Sequence, residues 1–128
     1  MKTLMNDVAD FHTACDLPVL SVPTIPPADR KALRIKLIDE EVNRELLPAM
    51  EADNIVEISD AMADSIYVIV GAALEYGVPL DRVWAAVQRA NMAKVDPVTG
   101  KVRKRGDGKV LKPEGWTPPD ITAVLANA

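Results

Sequence analysis

The sequence predicts an all-α protein, a four-helix bundle closed by a small C-terminal β-hairpin, and three observations lead to that fold class. Only five of the 128 residues are aromatic, while alanine, valine, leucine and isoleucine supply most of a 48% hydrophobic content, a composition suited to packed helices. Apolar residues recur at three- and four-residue spacings over four long stretches. Prolines and glycines fall between those stretches, where they start and stop helices. A chain of this length is most simply one domain, residues 1–128, with 95–128 as a hairpin and tail extension.

Leu4, Met5, Val8 and Phe11 give the first segment a helical period that runs to about Ala14. Pro18, Pro23, Pro26 and Pro27 then enforce an extended run, because proline lacks the N–H a helix needs and disfavours the α region in the residue before it. Pro27 opens a second helix from about Ala28 to Leu47, where Pro48 is expected to end or kink it. Asp53 or Asn54 caps a third helix that stops at Gly77. From Ile66 to Leu74 this helix is apolar on every face and is expected to be the most buried one. Pro79 opens a fourth, with Trp84, Val87, Asn91 and Lys94 on its inward stripe. Alternating runs around Gly106-Asp107-Gly108 predict the hairpin, and Thr117 with two prolines leads into a last short helix.

The net charge of -4 argues against a surface that coats a nucleic-acid polymer, which needs clustered Lys and Arg. Cys15 is the single cysteine, so no internal disulfide forms. The N-terminus lacks the apolar core of a signal peptide, and the longest apolar run, "SIYVIVGAAL", is about half the length a bilayer span requires. The expectation is a cytosolic protein of a bacterium or of a phage-infected cell, with no membrane contact.

The second helix carries an oddity. In "LIDEEVNREL", Glu41 and Glu45 project along the stripe that holds Leu37, Ile38, Val42 and Leu46. The third helix repeats it, with Glu57, Asp60 and Asp64 on one face of its first turns. Bringing two such clusters together inside a bundle costs several kcal/mol per unpaired ion, in order of magnitude, unless a cation sits between them. Oxygen ligands without histidine or thiolate suit Mg²⁺ or Mn²⁺. Arg34, on the same stripe as Glu41, offers a competing ion-pair partner or a phosphate ligand.

These residues resemble the all-α nucleoside triphosphate pyrophosphohydrolases, the MazG-like group that includes phosphoribosyl-ATP pyrophosphohydrolases and dimeric dUTPases. The likeness rests on the helix glutamates followed by "ExxD" at Glu57 and Asp60. "VADFHTACDLP", "RANMAKV" and "DGKVLKPEGWTPPDI" extend it to most of the chain and point to the small phage and bacterial branch. One departure concerns spacing: the family motif is E-E-x-x-E, whereas Arg44 stands at the place of the third acid and Glu45 follows it. A bulge in the helix before Pro48 would reconcile the two.

The resemblance implies hydrolysis of a nucleoside triphosphate between the α and β phosphates, to a monophosphate and pyrophosphate. It also implies two or more metal ions, roughly 3.5–4 Å apart in such sites. Glu41, Glu45, Glu57 and Asp60 are the expected ligands, and Glu40 or Glu41 the base that takes a proton from water. Asp64 either joins the ligands or orients Arg34 or Lys94 toward substrate. Asn91 and Lys94 match the family's N-x-x-K pattern for the nucleotide, and His12, Phe11 or Trp116 could meet the base. A purine (d)NTP, dGTP or GTP first, is the expected substrate on overall likeness, and a homodimer or homotetramer the expected assembly. The competing reading from another class is a non-catalytic helical module whose acids pair with Arg34, Arg44 and Lys94.

Overall fold

In the computed structural model of the chain, residues 1–127 are described, and they are mostly helical with no sheet among them. The helices are α1 (Lys2–Ala14), α2 (Ala28–Ile38), α3 (Leu47–Glu51), α4 (Ile55–Tyr76), α5 (Leu80–Met92) and α6 (Ile121–Ala126). A π-helical segment, Asp39–Leu46, joins α2 to α3. The chain forms two compact units, residues 1–80 and 81–127.

In the first unit α4 is the central element, and α1, α2, α3 and the π segment all pack on it. Asn54 caps it by accepting from the Glu57 N–H, which satisfies one of the otherwise unpaired amides of the first turn. Gly77 ends it in the left-handed conformation, φ 64°, as the spacing predicted. A side chain there would also collide with the Val22 carbonyl, so glycine is required twice over. The proline-rich stretch crosses this helix end in extended form. Leu20 and Thr24 donate their N–H groups to the carbonyls of Leu74 and Tyr76, each at 2.8 Å, so the stretch supplies partners that the last turn of a helix lacks. Val8, Val70 and Leu74 form the apolar core beneath, with Met1, Met5, Ala9 and Leu80 against it.

Three expectations need correction here. Pro48 neither ends nor breaks the second helix but sits in the first turn of α3. In an α-helix its ring would press on the carbonyl of Arg44. The preceding turns are widened to i→i−5 bonding, with the Leu47 N–H on the Val42 carbonyl, and this removes the alignment that creates the clash. Secondly, α4 is not buried all round: Ile66 is 47% exposed and Tyr67 and Ile69 are exposed beside it, while Val70, Ala73 and Leu74 face inward. Thirdly, the hairpin does not form strands. It reduces to isolated antiparallel bridges, Val95 with Val102 and Lys104 with Val110, the second enclosing a tight turn held by Arg105 N–H to the Lys109 carbonyl.

In the second unit α5 buries Ala86, whereas Trp84, at 57% exposure, and Val87 point outward. The stripe read as inward is therefore an outward one. The helix turns its alanine face, Ala86, Ala90 and Ala93, to the tail, where with Thr117, Pro119, Asp120 and Val124 it lines an open cavity of about 440 Å³. Asp120 caps α6 by accepting from the Ala123 N–H at 3.0 Å. No helix of the described residues is long and apolar enough to cross a membrane.

Candidate active site

The π segment and the first half of α4 face one another across a cleft, and each contributes its acids to it. Glu41, Glu45 and Asp64 converge so that one oxygen from each lies within 4.8 Å of the others. None of the three forms an ion pair among the described residues. Glu41 Oε2 is buried and has no hydrogen-bond partner. The carboxyl of Glu41 is raised from its ordinary 4.5 to about 7, first by the hydrogen bond it shares with Glu45, then by burial and by the charges of Glu45, Asp64 and Glu40. Three carboxylates this close, with no cation among the described residues to pair them, are a set that a hard divalent cation fits, and oxygen-only donors suit Mg²⁺ or Mn²⁺.

Glu45 belongs to two groups at once. Besides the three-acid cluster it lines an open cavity of about 520 Å³ with Arg44, Pro48, Ala49, Ala52, Glu57, Asp60 and Ala61. Glu57 and Asp60 thus stand along the same cleft as Glu45, two turns and one turn before Asp64 on α4. Arg44, at the place where the family spacing expects an acid, turns to Asp39 at 3.4 Å. That pair is i,i+5, the spacing that shares a face when hydrogen bonds run five residues back. The widened segment therefore carries Arg44 to one side and keeps Glu45 beside Glu41. Glu40 lies apart from this cluster, 4.0 Å from Lys36 on the preceding turn.

Arg34 is not at the acids of the cleft. It is buried, its Nη2 donates to the Val68 carbonyl at 2.8 Å, and its Nη1 lies 3.3 Å from Glu75 Oε2. Arg30 reaches the same carboxylate with two bonds, 2.7 and 3.0 Å. Burial lowers the Arg34 guanidinium, against the pull of Glu75, while Arg30 is raised by its bond to Glu75. Glu75 is 1% exposed, and sequence reasoning passed over it. The available signal was a single acid inside an otherwise apolar run, with two arginines four residues apart on the preceding helix.

His12, expected at the base, is buried as well, with Nδ1 3.0 Å from the Pro18 carbonyl. Its Nε2 lies 2.9 Å from the position a Cβ on Gly71 would take, and the Arg34 guanidinium is also in contact with that position. Gly71 thus lets the two side chains lie flat on α4. Phe11 stays half exposed and meets Tyr67 edge to face, centroids 5.9 Å apart.

In the second unit Asn91, Lys94 and Trp116 come together. Lys94 Nζ donates to Asn91 Oδ1 at 3.1 Å and lies 5.1 Å from the Trp116 ring centroid. The indole N–H donates to the Ala90 carbonyl at 2.7 Å. Lys112, which sequence reasoning did not single out, stands 4.9 Å from the same centroid.

A search of curated proteins returns no match. A family model described as Phosphoribosyl-ATP pyrophosphohydrolase matches residues 8–91. The matched span takes in both helices of the acid cleft and ends at Asn91, one residue short of the end of α5. The chain accordingly belongs to the phosphoribosyl-ATP pyrophosphohydrolase family, within the MazG-like all-α superfamily, and is a hydrolase of phosphoanhydride bonds in nucleotide-like substrates.

Proposed function

We propose that the chain is a divalent-metal-dependent nucleoside triphosphate pyrophosphohydrolase that cleaves a (d)NTP between the α and β phosphates, releasing (d)NMP and pyrophosphate. The observation that carries this reading is the convergence of Glu41, Glu45 and Asp64 around a buried carboxylate oxygen with no partner. A divalent ion held there would supply Lewis-acid polarisation of phosphoryl oxygens and neutralise charge on the departing pyrophosphate. Glu57 and Asp60, which line a cavity with Glu45, are read as ligands of a further ion. Asp64 is read as a ligand beside Glu41 and Glu45.

The protein's own part is to position and to take the proton. Water adds to the α-phosphorus, the bond to the bridging oxygen breaks, and the proton passes to Glu40 or Glu41. Asn91 and Lys94 are assigned to the nucleotide, Lys94 as a point charge for phosphate. dGTP or GTP is the first candidate substrate, on the overall likeness to the small phage and bacterial branch; a dUTP-type or broad housecleaning diphosphatase is separated from it only by substrate competition.

Assembly into a homodimer or homotetramer accompanies this reading. Its support is the apolar face of α4 left uncovered in the single chain, with Met62, Ile66, Tyr67 and Ile69 exposed along it.

A panel of dNTPs with Mg²⁺ or Mn²⁺ tests the function directly. The expected products are a monophosphate and pyrophosphate. Orthophosphate with a diphosphate, or no turnover of any nucleotide, rejects it in favour of a non-catalytic helical module.

A further inference from the structure

Residues 94–112 begin just beyond the family match and carry seven Lys or Arg against two Asp. Both acids are engaged locally. Asp107 is bound to Arg105 at 2.6 Å, and Asp96 accepts from the Val98 and Thr99 N–H groups. Lys94 and Lys112, one at each end of the stretch, form no ion pair among the described residues. Instead their ammonium groups gather on one indole, 5.1 and 4.9 Å from its centroid. Trp116 is only partly exposed and its ring is fixed by the N–H bond to Ala90. Two like charges drawn to one fixed ring repel each other, and cation–π attraction offsets that only in part. A polyanion spanning both ammonium groups completes the arrangement.

We propose that Lys94, Lys112 and Trp116 form an anion clamp for the polyphosphate chain of a nucleoside triphosphate, in which Trp116 is the platform that holds the two lysines and not a stacking surface for the base. Lysines on the ring argue against single-stranded nucleic acid, whose bases need an open aromatic face. Identifying the polyphosphate as that of a nucleotide rests on the proposed activity; the clamp itself does not.

Trp84→Phe leaves Trp116 as the sole tryptophan, so its emission reports the clamp. In this background, without divalent metal, inorganic tripolyphosphate and a nucleoside triphosphate are expected to change the emission saturably. Lys112→Gln, an exposed substitution that leaves the fold alone, is expected to weaken both by roughly tenfold. No saturable change, equal affinity in Lys112→Gln, or tighter binding of an oligothymidylate than of the triphosphate overturns the clamp. Lys112-dependent binding of tripolyphosphate without turnover of any dNTP upholds the clamp and removes the proposed reaction. Turnover with binding indifferent to Lys112 does the reverse.

Discussion

Glu75 and Glu41 both lie against the inner side of the first unit, yet they have opposite surroundings. Glu75 is fully covered, with two guanidinium groups on it and three contacts between 2.7 and 3.3 Å. Glu41 is only partly covered, and its neighbours are two more carboxylates, with one of its own oxygens unpartnered. A buried charge is retained when its counter-charge is built into the chain or arrives from outside. Glu75 follows the first course and fastens α2 to α4. Glu41 has no counter-charge built into the described residues, and under the proposed function a cation supplies it.

Removing each acid should therefore move stability in opposite directions. Glu75→Gln leaves Arg30 and Arg34 without their shared carboxylate and should cost about 3–5 kcal/mol in chemical denaturation. A loss below 1 kcal/mol would show that the two arginines find other partners. Glu41→Gln should reduce turnover by about a hundredfold or more, since an ion worth several kcal/mol of transition-state stabilisation loses a ligand. The same variant, metal-free at pH 8, should melt above wild type, because one of three mutually repelling charges is gone. Wild type should gain stability with Mn²⁺ and the variant should not.

Gly71 tests how tightly the Glu75 side is filled. Alanine there meets the Arg34 guanidinium and the His12 ring, so Gly71→Ala should destabilise by about 1–3 kcal/mol despite alanine's better helix propensity. If the variant is as stable as wild type, the two side chains have room to withdraw. The last effect is on pH. Glu41 is raised from 4.5 to about 7 in the folded protein, so the stability that its protonated form contributes is complete below pH 4.5 and is lost as pH rises through about 7. Metal-free melting temperatures should fall across that window, and Glu41→Gln should flatten the fall.

Much of this contrast was legible from the residues. Asn54 and Gly77 announced both ends of α4, since each has a local backbone reason to stand where it does. The glutamates on an apolar stripe announced a cleft. Arg34 was read toward those glutamates because a helical wheel gives direction but not depth, and Glu75, farther along α4, took it instead. The outward turn of Trp84 was hidden for a related reason: a period marks the large apolar residues, whereas on α5 it is the small Ala86 that is buried. The clustering of Lys112 with Trp116 and Lys94 joins residues far apart along the chain, beyond the reach of any local period.

The widened segment between α2 and α3 also has a consequence for phase. In an uninterrupted α-helix one additional residue rotates everything downstream by about 100°, which would swing Ala49 away from α4 if Arg30 and Arg34 kept their grip on Glu75. Asp39–Leu46 absorbs that rotation by taking an extra residue into each hydrogen-bonded ring. The two ends of the long helix thus stay in phase on the same neighbour, and the slack accumulates in the one stretch that holds Glu41 and Glu45. Deleting Asn43 should discharge that slack, restoring α-helical pitch with the two glutamates three residues apart, the interval of the family motif.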